Sequence, residues 1–234
     1  MVKAVIFDFG QTLVDSAGGF RAAERQAQDR IFAALEGVER GRFIDVYRRV
    51  RRTHHERSRL SRREIWRSVC DELRQRIDER RLVAWEGEYW KRVNALTRVF
   101  PEAPGTLDAL RSTHRLALVS NTQGQADTGT HRLSAFPDLE RAFECIVIAG
   151  ENGIPAKPDA LSFLHCLRQM KLEPGECFYV GDDYRFDVCG SRDVGMRPVW
   201  LKHRSVRRNW PDVVDADVAV ITSLDELPSL CGTA

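Results

Sequence analysis

The sequence predicts an α/β protein with a Rossmann-like parallel-sheet core, covered by helices on both faces, and an inserted α-helical cap domain. Short apolar runs without alternation, such as residues 5–7 and 116–119, are separated by helical patterns. This is typical of parallel strands buried on both faces. Residues 21–92 are instead rich in arginine and carry apolar residues at helical spacing, which indicates an all-helical insertion.

The order of these patterns predicts the domain boundaries. Residues 1–15 and 98–234 form the predicted core domain, and residues 16–97 form the predicted cap domain of about four helices. Ser61 and Glu64 have the spacing of a capping box that opens one of these helices. The remaining core strands are predicted at 116–119, 143–149, 177–180, 197–201 and 218–221, and the helices at 104–112, 125–136, 160–170 and 224–227.

Composition narrows the class of partner. A net charge of +2 over 234 residues gives no overall attraction to nucleic acid or to a membrane surface. No apolar run approaches the roughly 20 residues that span a bilayer. A strand begins close to the N-terminus, and the six cysteines are scattered without a Cys-x-x-Cys pair. We therefore expect a cytoplasmic protein with reduced thiols and no signal peptide. The expected oligomeric state is a monomer or a homodimer.

Polar residues follow three predicted strands at the edge where ligands bind in such sheets. Asp8 ends the first strand, and it is equally well read as a nucleophile or as a turn-capping acid. Ser120 and Asn121 end the next core strand. Their hydroxyl and nearby N–H groups suit phosphoryl oxygens, although in isolation the pair is more typical of a turn.

A lysine and an acidic cluster complete the candidate site. Lys157 lies between two prolines, and it is either a fixed ammonium at the site or a solvated loop residue. Asp182, Asp183 and Asp187 follow an apolar strand. Acids this dense repel one another unless a cation or strong donors compensate. Magnesium binding is favoured over a purely structural acidic helix start.

Taken together, these motifs resemble the haloacid dehalogenase-like hydrolase superfamily, and in particular its phosphatase-like members with a helical cap (subfamily I). The resemblance covers residues 2 to about 227, and the helical block lies where this family carries its cap. The matching pieces are Asp8-x-x-x-Thr12, Ser120-Asn121, Lys157-Pro158 and Gly181-Asp182-x-x-x-x-Asp187.

The resemblance implies a Mg²⁺-dependent hydrolase of a small phosphorylated metabolite. Asp8 would attack phosphorus and form an aspartyl-phosphate. The residues implied to bind the phosphoryl group are Thr12, Ser120, Asn121 and Lys157. The residues implied at the Mg²⁺ site are Asp8, Gly10 through its carbonyl, Asp182, Asp183 and Asp187, the last of which would orient water or Lys157.

One position departs from the family pattern. Its phosphatases usually carry a second aspartate two residues after the nucleophile, where this chain has Gly10 followed by Gln11. Neither residue can exchange a proton with a leaving group, and such help is typically worth about 10²–10⁴-fold. The chain is therefore either a phosphatase with atypical or slow leaving-group protonation or an impaired module that binds a phosphorylated ligand. A dehalogenase also lacks that acid, but the retained Gly181-Asp182 pair argues against it.

The arginines of the predicted cap allow two interpretations. Basic residues outnumber acidic ones between residues 21 and 92. They could recognise an anionic substrate, but for most of them we favour solvated helix faces that carry Glu at i, i+4 spacing. Interspersed acids argue against nucleic-acid binding. His54 and His55 are expected on exposed helix surface.

Overall fold

Eight strands form two sheets in the protein, which a computed structural model describes over residues 2–124, 131–206, 210–213 and 215–232. The larger sheet has six parallel strands in the order β5-β4-β1-β6-β7-β8, and β2 and β3 form an antiparallel pair. The strands are β1 (Ala4–Phe7), β2 (Val14–Asp15), β3 (Arg98–Val99), β4 (Arg115–Asn121), β5 (Cys145–Ala149), β6 (Cys177–Gly181), β7 (Arg197–Leu201) and β8 (Ala219–Ile221). The predicted parallel α/β core is confirmed.

The chain divides into two compact units. The first, called here the α/β unit, comprises Met1–Asp15, Arg98–Asn121 and Leu133–Ala234. The second, called here the helical unit, comprises Ser16–Thr97 and Thr122–Arg132. The division into an α/β core domain and a helical cap domain, with the boundaries given above, stays a prediction.

Both faces of the larger sheet are buried at its central strand β1, which explains the unbroken apolar run there. All four side chains of β1 have no exposed surface. Val5 and Phe7 pack on one face, in a cluster with Leu107, whereas Ile6 packs on the other face with Phe163. The helices of this unit are α5 (Ala103–Arg111), α6 (Pro137–Glu140), α7 (Ala160–Met170), α8 (Gly190–Asp193) and α9 (Leu227–Leu230). Hence every strand position of β1 must be apolar, because helices cover it on both sides.

Over its described residues, the helical unit contains four long helices with a core of their own. They are α1 (Ala17–Ala33), α2 (Arg40–Glu56), α3 (Arg62–Glu72) and α4 (Glu79–Leu96). Side-chain caps begin three of them: Glu39 for α2, Ser61 for α3 and Asp78 for α4. Ser61 accepts a hydrogen bond from the backbone N–H of Glu64 at 3.4 Å, which is the expected first half of a capping box.

Several local predictions need correction. The helix expected over 125–136 is a 3₁₀ turn at Arg132–Ala135, and residues 125–130 of that prediction lie outside the described residues. The last helix begins as a 3₁₀ turn at Leu224–Glu226. His54 is buried and His55 is half-buried, so neither is exposed as expected, and His54 Nε2 lies 3.1 Å from the Ser68 hydroxyl. None of the described helices is both long and apolar enough to span a membrane.

Candidate active site

The three polar strand ends meet at one edge of the sheet. β1 lies between β4 and β6, so its carboxyl end brings Asp8 next to the ends of both neighbours. The backbone N–H of Asp8 donates to the carbonyl of Val180 at 2.9 Å, which extends the pairing by one residue. Asp8, Ser120 and Asp182 are all buried there. Parallel pairing alone therefore gathers residues that are far apart in the sequence.

Lys157 lies at the centre of this group. Its side chain is 2 % exposed, and Nζ donates to Oδ1 of Asp8 at 2.9 Å and to Oδ1 of Asp187 at 2.7 Å. The Asn121 side chain holds the lysine backbone, because it accepts from Lys157 N–H at 2.7 Å and donates to Lys157 C=O at 3.2 Å. The lysine is thus a fixed buried ammonium, not a solvated loop residue.

A further hydroxyl that the sequence analysis did not single out also contacts Lys157. Tyr179 is 1 % exposed, and its hydroxyl oxygen lies 2.7 Å from Lys157 Nζ and 3.4 Å from Asp187 Oδ1. The same hydroxyl donates to the carbonyl of Val119 at 2.8 Å. The only signal in the sequence was a tyrosine in an otherwise apolar buried strand, since a buried tyrosine hydroxyl usually has a polar partner.

Three carboxylates stand close enough to share a cation. One oxygen each from Asp8, Asp182 and Asp187 lies within 4.8 Å of the others, and all three residues are buried. Lys157 supplies one positive charge to these three acids. Clustered carboxylate oxygens are the donors that Mg²⁺ takes in proteins, and a divalent ion would offset the remaining repulsion. The residues present therefore fit a magnesium ion.

Asp183 has a different position from the other acids. Its side chain caps the π-helical turn Tyr184–Cys189 by accepting from the N–H groups of Arg185 and Phe186 at 3.0 and 2.9 Å. Its backbone N–H donates to Oδ2 of Asp187 at 2.9 Å. Asp183 lies outside the group of carboxylates that approach within 4.8 Å among the described residues.

Gly181 makes room for Asp187. A Cβ atom at this position would lie closer than 3.0 Å to three atoms of the Asp187 side chain. Asp187 is held on the π-helical turn, and Gly181 ends β6. The Gly181-Asp182 pair therefore has two separate roles. Gly181 leaves space for the Asp187 side chain, and Asp182 belongs to the carboxylate cluster.

Burial and neighbouring charges shift the pKa values of Lys157 and Asp187 in opposite directions. Burial alone would lower the pKa of the Lys157 ammonium, but the carboxylates of Asp187 and Asp8 raise it well above its ordinary value. Burial raises the pKa of Asp187, and Lys157 opposes that shift. Burial also raises the pKa of the Tyr179 hydroxyl, which stays protonated. Lys157 is accordingly a permanent positive charge beside Asp8.

The other predicted residues lie around this centre. The Thr12 hydroxyl is buried and donates to Oδ2 of Asp8 at 3.5 Å. Ser120 is buried at the end of β4, and over the described part of the chain its hydroxyl forms no hydrogen bond with Asp8 or Lys157. Gly10 begins a tight turn after β1, in which Gln11 has a positive φ of 60° and its N–H donates to Val14 C=O at 2.8 Å.

A model of the haloacid dehalogenase-like hydrolase family matches residues 2–195. The chain therefore belongs to this family. The match runs from before β1 to beyond α8, so it includes every residue of the cluster described above.

Two relatives of this chain are named as phosphatases. N-acylneuraminate-9-phosphatase of Mus musculus is 26 % identical over 208 residues, which cover 86 % of this chain and 82 % of the relative. Glyceraldehyde 3-phosphate phosphatase of Methanothermobacter thermautotrophicus is 25 % identical over 237 residues, which cover 98 % of this chain and all of the relative. Both names describe enzymes that remove phosphate from small metabolites.

Solved structures show the same fold. The crystal structure of a HAD phosphatase from Thermococcus onnurineus superposes with a TM-score of 0.69 at 23 % identity, covering 99 % of both chains. A 2-haloacid dehalogenase from Pseudomonas syringae pv. Tomato gives a TM-score of 0.68 at the same identity and coverage. Because phosphatase and dehalogenase structures match about equally, the fold does not separate the two reactions, and residues of the site must do so.

Proposed function

We propose that this protein is a Mg²⁺-dependent phosphatase of a small phosphorylated metabolite, with Asp8 as the nucleophile. The observation that supports this most strongly is the buried cluster in which Lys157 Nζ contacts both Asp8 and Asp187 while Asp182 completes a set of three close carboxylates. The assigned activities of the relatives agree with it. The six thiols are free, as expected for action in the cytoplasm, where we place it as a monomer or homodimer.

In this proposal Asp8 attacks phosphorus while the P–O bond to the leaving group breaks, and the leaving group departs as an oxyanion that takes its proton from water. Oδ1 of Asp8 is held by Lys157 and its Oδ2 faces the Thr12 hydroxyl, so the carboxylate is oriented before substrate arrives. The resulting aspartyl-phosphate is then hydrolysed by water, which restores Asp8 and releases inorganic phosphate. Orientation and neighbouring positive charge supply most of the catalysis in phosphoryl transfer.

The remaining residues hold the transferring group and the ion. Asp8, Asp182, Asp187 and the carbonyl of Gly10 are the proposed magnesium ligands. When bound, the ion would offset the negative charge on the carboxylates and on the phosphoryl oxygens. We propose that Ser120 and Thr12 contact phosphoryl oxygens, that Asn121 acts by holding the Lys157 loop, and that Asp183 acts by capping the turn that carries Asp187.

The missing acid determines which substrates react well. Gly10 has no side chain that could protonate a leaving group, and Gln11 does not titrate in the useful range. Substrates whose leaving group needs no proton, such as aryl and acyl phosphates, should therefore react faster than alkyl phosphates. The retained Gly181-Asp182 pair, whose aspartate belongs to the three-carboxylate cluster, favours phosphoryl transfer over dehalogenation.

Turnover of p-nitrophenyl phosphate and acetyl phosphate with Mg²⁺ tests the proposal. We expect activity that is lost in Asp8→Asn and retained in Asp108→Asn, a matched change at an exposed acid on α5. Turnover that survives Asp8→Asn contradicts the proposal. An inactive wild-type protein that still binds phosphorylated ligands in a Mg²⁺-dependent way supports the binding module instead.

A further inference from the structure

The hydrogen bonds of the Lys157 ammonium are fully used. An ammonium group has three N–H donors and no acceptor. Nζ has three acceptors at hydrogen-bond distance, which are Oδ1 of Asp8 at 2.9 Å, Oδ1 of Asp187 at 2.7 Å and the hydroxyl oxygen of Tyr179 at 2.7 Å. Each proton therefore has one partner, and none remains for a fourth group.

The direction of the Tyr179 hydrogen bond is fixed by its other partner. The carbonyl of Val119 can only accept, so the hydroxyl proton of Tyr179 points to that carbonyl, which at 2.8 Å is much closer than Asp187 Oδ1 at 3.4 Å. The hydroxyl oxygen must then accept from Lys157. Val119 lies within β4 and Tyr179 within β6, so two strands of the sheet anchor this contact. The sheet itself therefore holds the ammonium group of Lys157 through Tyr179.

We propose that Tyr179 is a positioning residue for Lys157, a role that rests on the proposed phosphatase function. Its hydroxyl fixes Nζ so that the other two N–H groups of the ammonium donate to Asp8 and Asp187. Without it, the ammonium would have a buried proton without an acceptor and would shift toward one carboxylate or the other. Tyr179 need not touch substrate for this role, because it acts through the lysine.

The arrangement has a consequence for how Lys157 works. A phosphoryl oxygen could accept a hydrogen bond from Lys157 only if one of the three existing hydrogen bonds of Nζ were released. Tyr179 and Asp187 are held by the sheet and by the π-helical turn, whereas Asp8 changes its bonding when it attacks phosphorus. The contact with Asp8 is therefore the one that is free to pass to a phosphoryl oxygen during the reaction.

Tyr179→Phe tests this role, with Tyr47→Phe as a matched control. Tyr47 is also 1 % exposed, and its hydroxyl accepts a hydrogen bond from Trp66 Nε1 at 3.0 Å in the core of the helical unit. Both variants lose a buried hydroxyl, so both should unfold at lower temperature. Only Tyr179→Phe should lower kcat, by about 10- to 100-fold, with KM changed less than about twofold.

A double variant separates positioning from general damage. Adding Tyr179→Phe to Lys157→Met should lower kcat by less than about twofold, because the group that Tyr179 positions is already gone. A crystal structure of Tyr179→Phe should show Nζ displaced by more than about 0.5 Å, the tolerance within which catalytic groups must be held. This second readout does not depend on any activity.

The two proposals can fail separately. If Asp8→Asn keeps its turnover, the phosphatase mechanism is wrong, and the position of Nζ in Tyr179→Phe still decides the role of Tyr179. An unmoved Nζ, an unchanged kcat, or a loss of kcat that is as large in the Lys157→Met background would each overturn the positioning role.

Discussion

Replacing Gly181 with alanine should damage the site with little change elsewhere. The added Cβ would lie closer than 3.0 Å to three atoms of the Asp187 side chain. Carbon atoms in favourable contact are about 3.5–4.0 Å apart, so the Asp187 side chain must move by about 1 Å. It cannot rotate away freely, since it is 2 % exposed and accepts from both Lys157 Nζ and the Asp183 N–H.

This displacement sets the size of the expected effect. Overpacking of this kind costs about 1–3 kcal/mol of the free energy of unfolding. A shift approaching 1 Å in a catalytic group can lower the rate about 10²-fold. We therefore expect kcat of Gly181→Ala to fall by about 10- to 100-fold, together with weaker Mg²⁺ binding because Asp187 belongs to the carboxylate cluster.

Steady-state turnover of p-nitrophenyl phosphate and thermal unfolding measure the two effects. Gly175→Ala is the matched control, because a Cβ at that glycine meets nothing within 4 Å. Its activity should be that of the wild type, and its free energy of unfolding should be unchanged or higher by up to about 1 kcal/mol. A Gly181→Ala protein with wild-type kcat and wild-type stability would refute the argument that this glycine is required by Asp187.

Two further predictions concern the missing acid and the helical unit. Gly10→Asp should raise turnover of alkyl phosphates more than of aryl phosphates, by up to about 10²-fold if leaving-group protonation limits the rate; equal or reduced turnover on both would exclude that limit. Burial and the guanidiniums of Arg62 and Arg51 lower the pKa of His55 to about 4. His55 binds a proton near pH 6.5 in the unfolded chain but only near pH 4 in the folded chain. The free energy of unfolding therefore falls as pH drops from about 6.5 to about 4. Because His55 is only partly buried, we expect the free energy of unfolding to fall by on the order of 1–2 kcal/mol over this range. Denaturant unfolding at several pH values should show a smaller fall in His55→Gln. An identical pH dependence in both proteins would contradict this prediction.

The fold was largely predictable because its signals are local. Unbroken apolar strands and helical spacing needed no knowledge of tertiary contacts, and β7 and α7 have the bounds predicted for them, Arg197–Leu201 and Ala160–Met170. The polar strand ends could also be placed together, since parallel strands present their carboxyl ends at one edge.

What escaped prediction depends on contacts between distant residues. Tyr179 fits an apolar strand by its ring, and only the approach of Lys157 gives its hydroxyl a role. His54 was expected on the surface, but it lies on the face of α2 that carries Val50 and Tyr47 into the core. Asp183 looked equivalent to its neighbours in the sequence, yet its carboxylate caps a turn.

The central claim is that Asp8 bonds covalently to phosphorus, and acid quenching during turnover tests it most directly. Borohydride reduction of the quenched protein, followed by peptide mass spectrometry, should find homoserine at position 8 when acetyl phosphate and Mg²⁺ were present. The same product should be missing from Asp8→Asn. Robust turnover of the wild type with position 8 unmodified, or with the modification on another residue, would contradict the account.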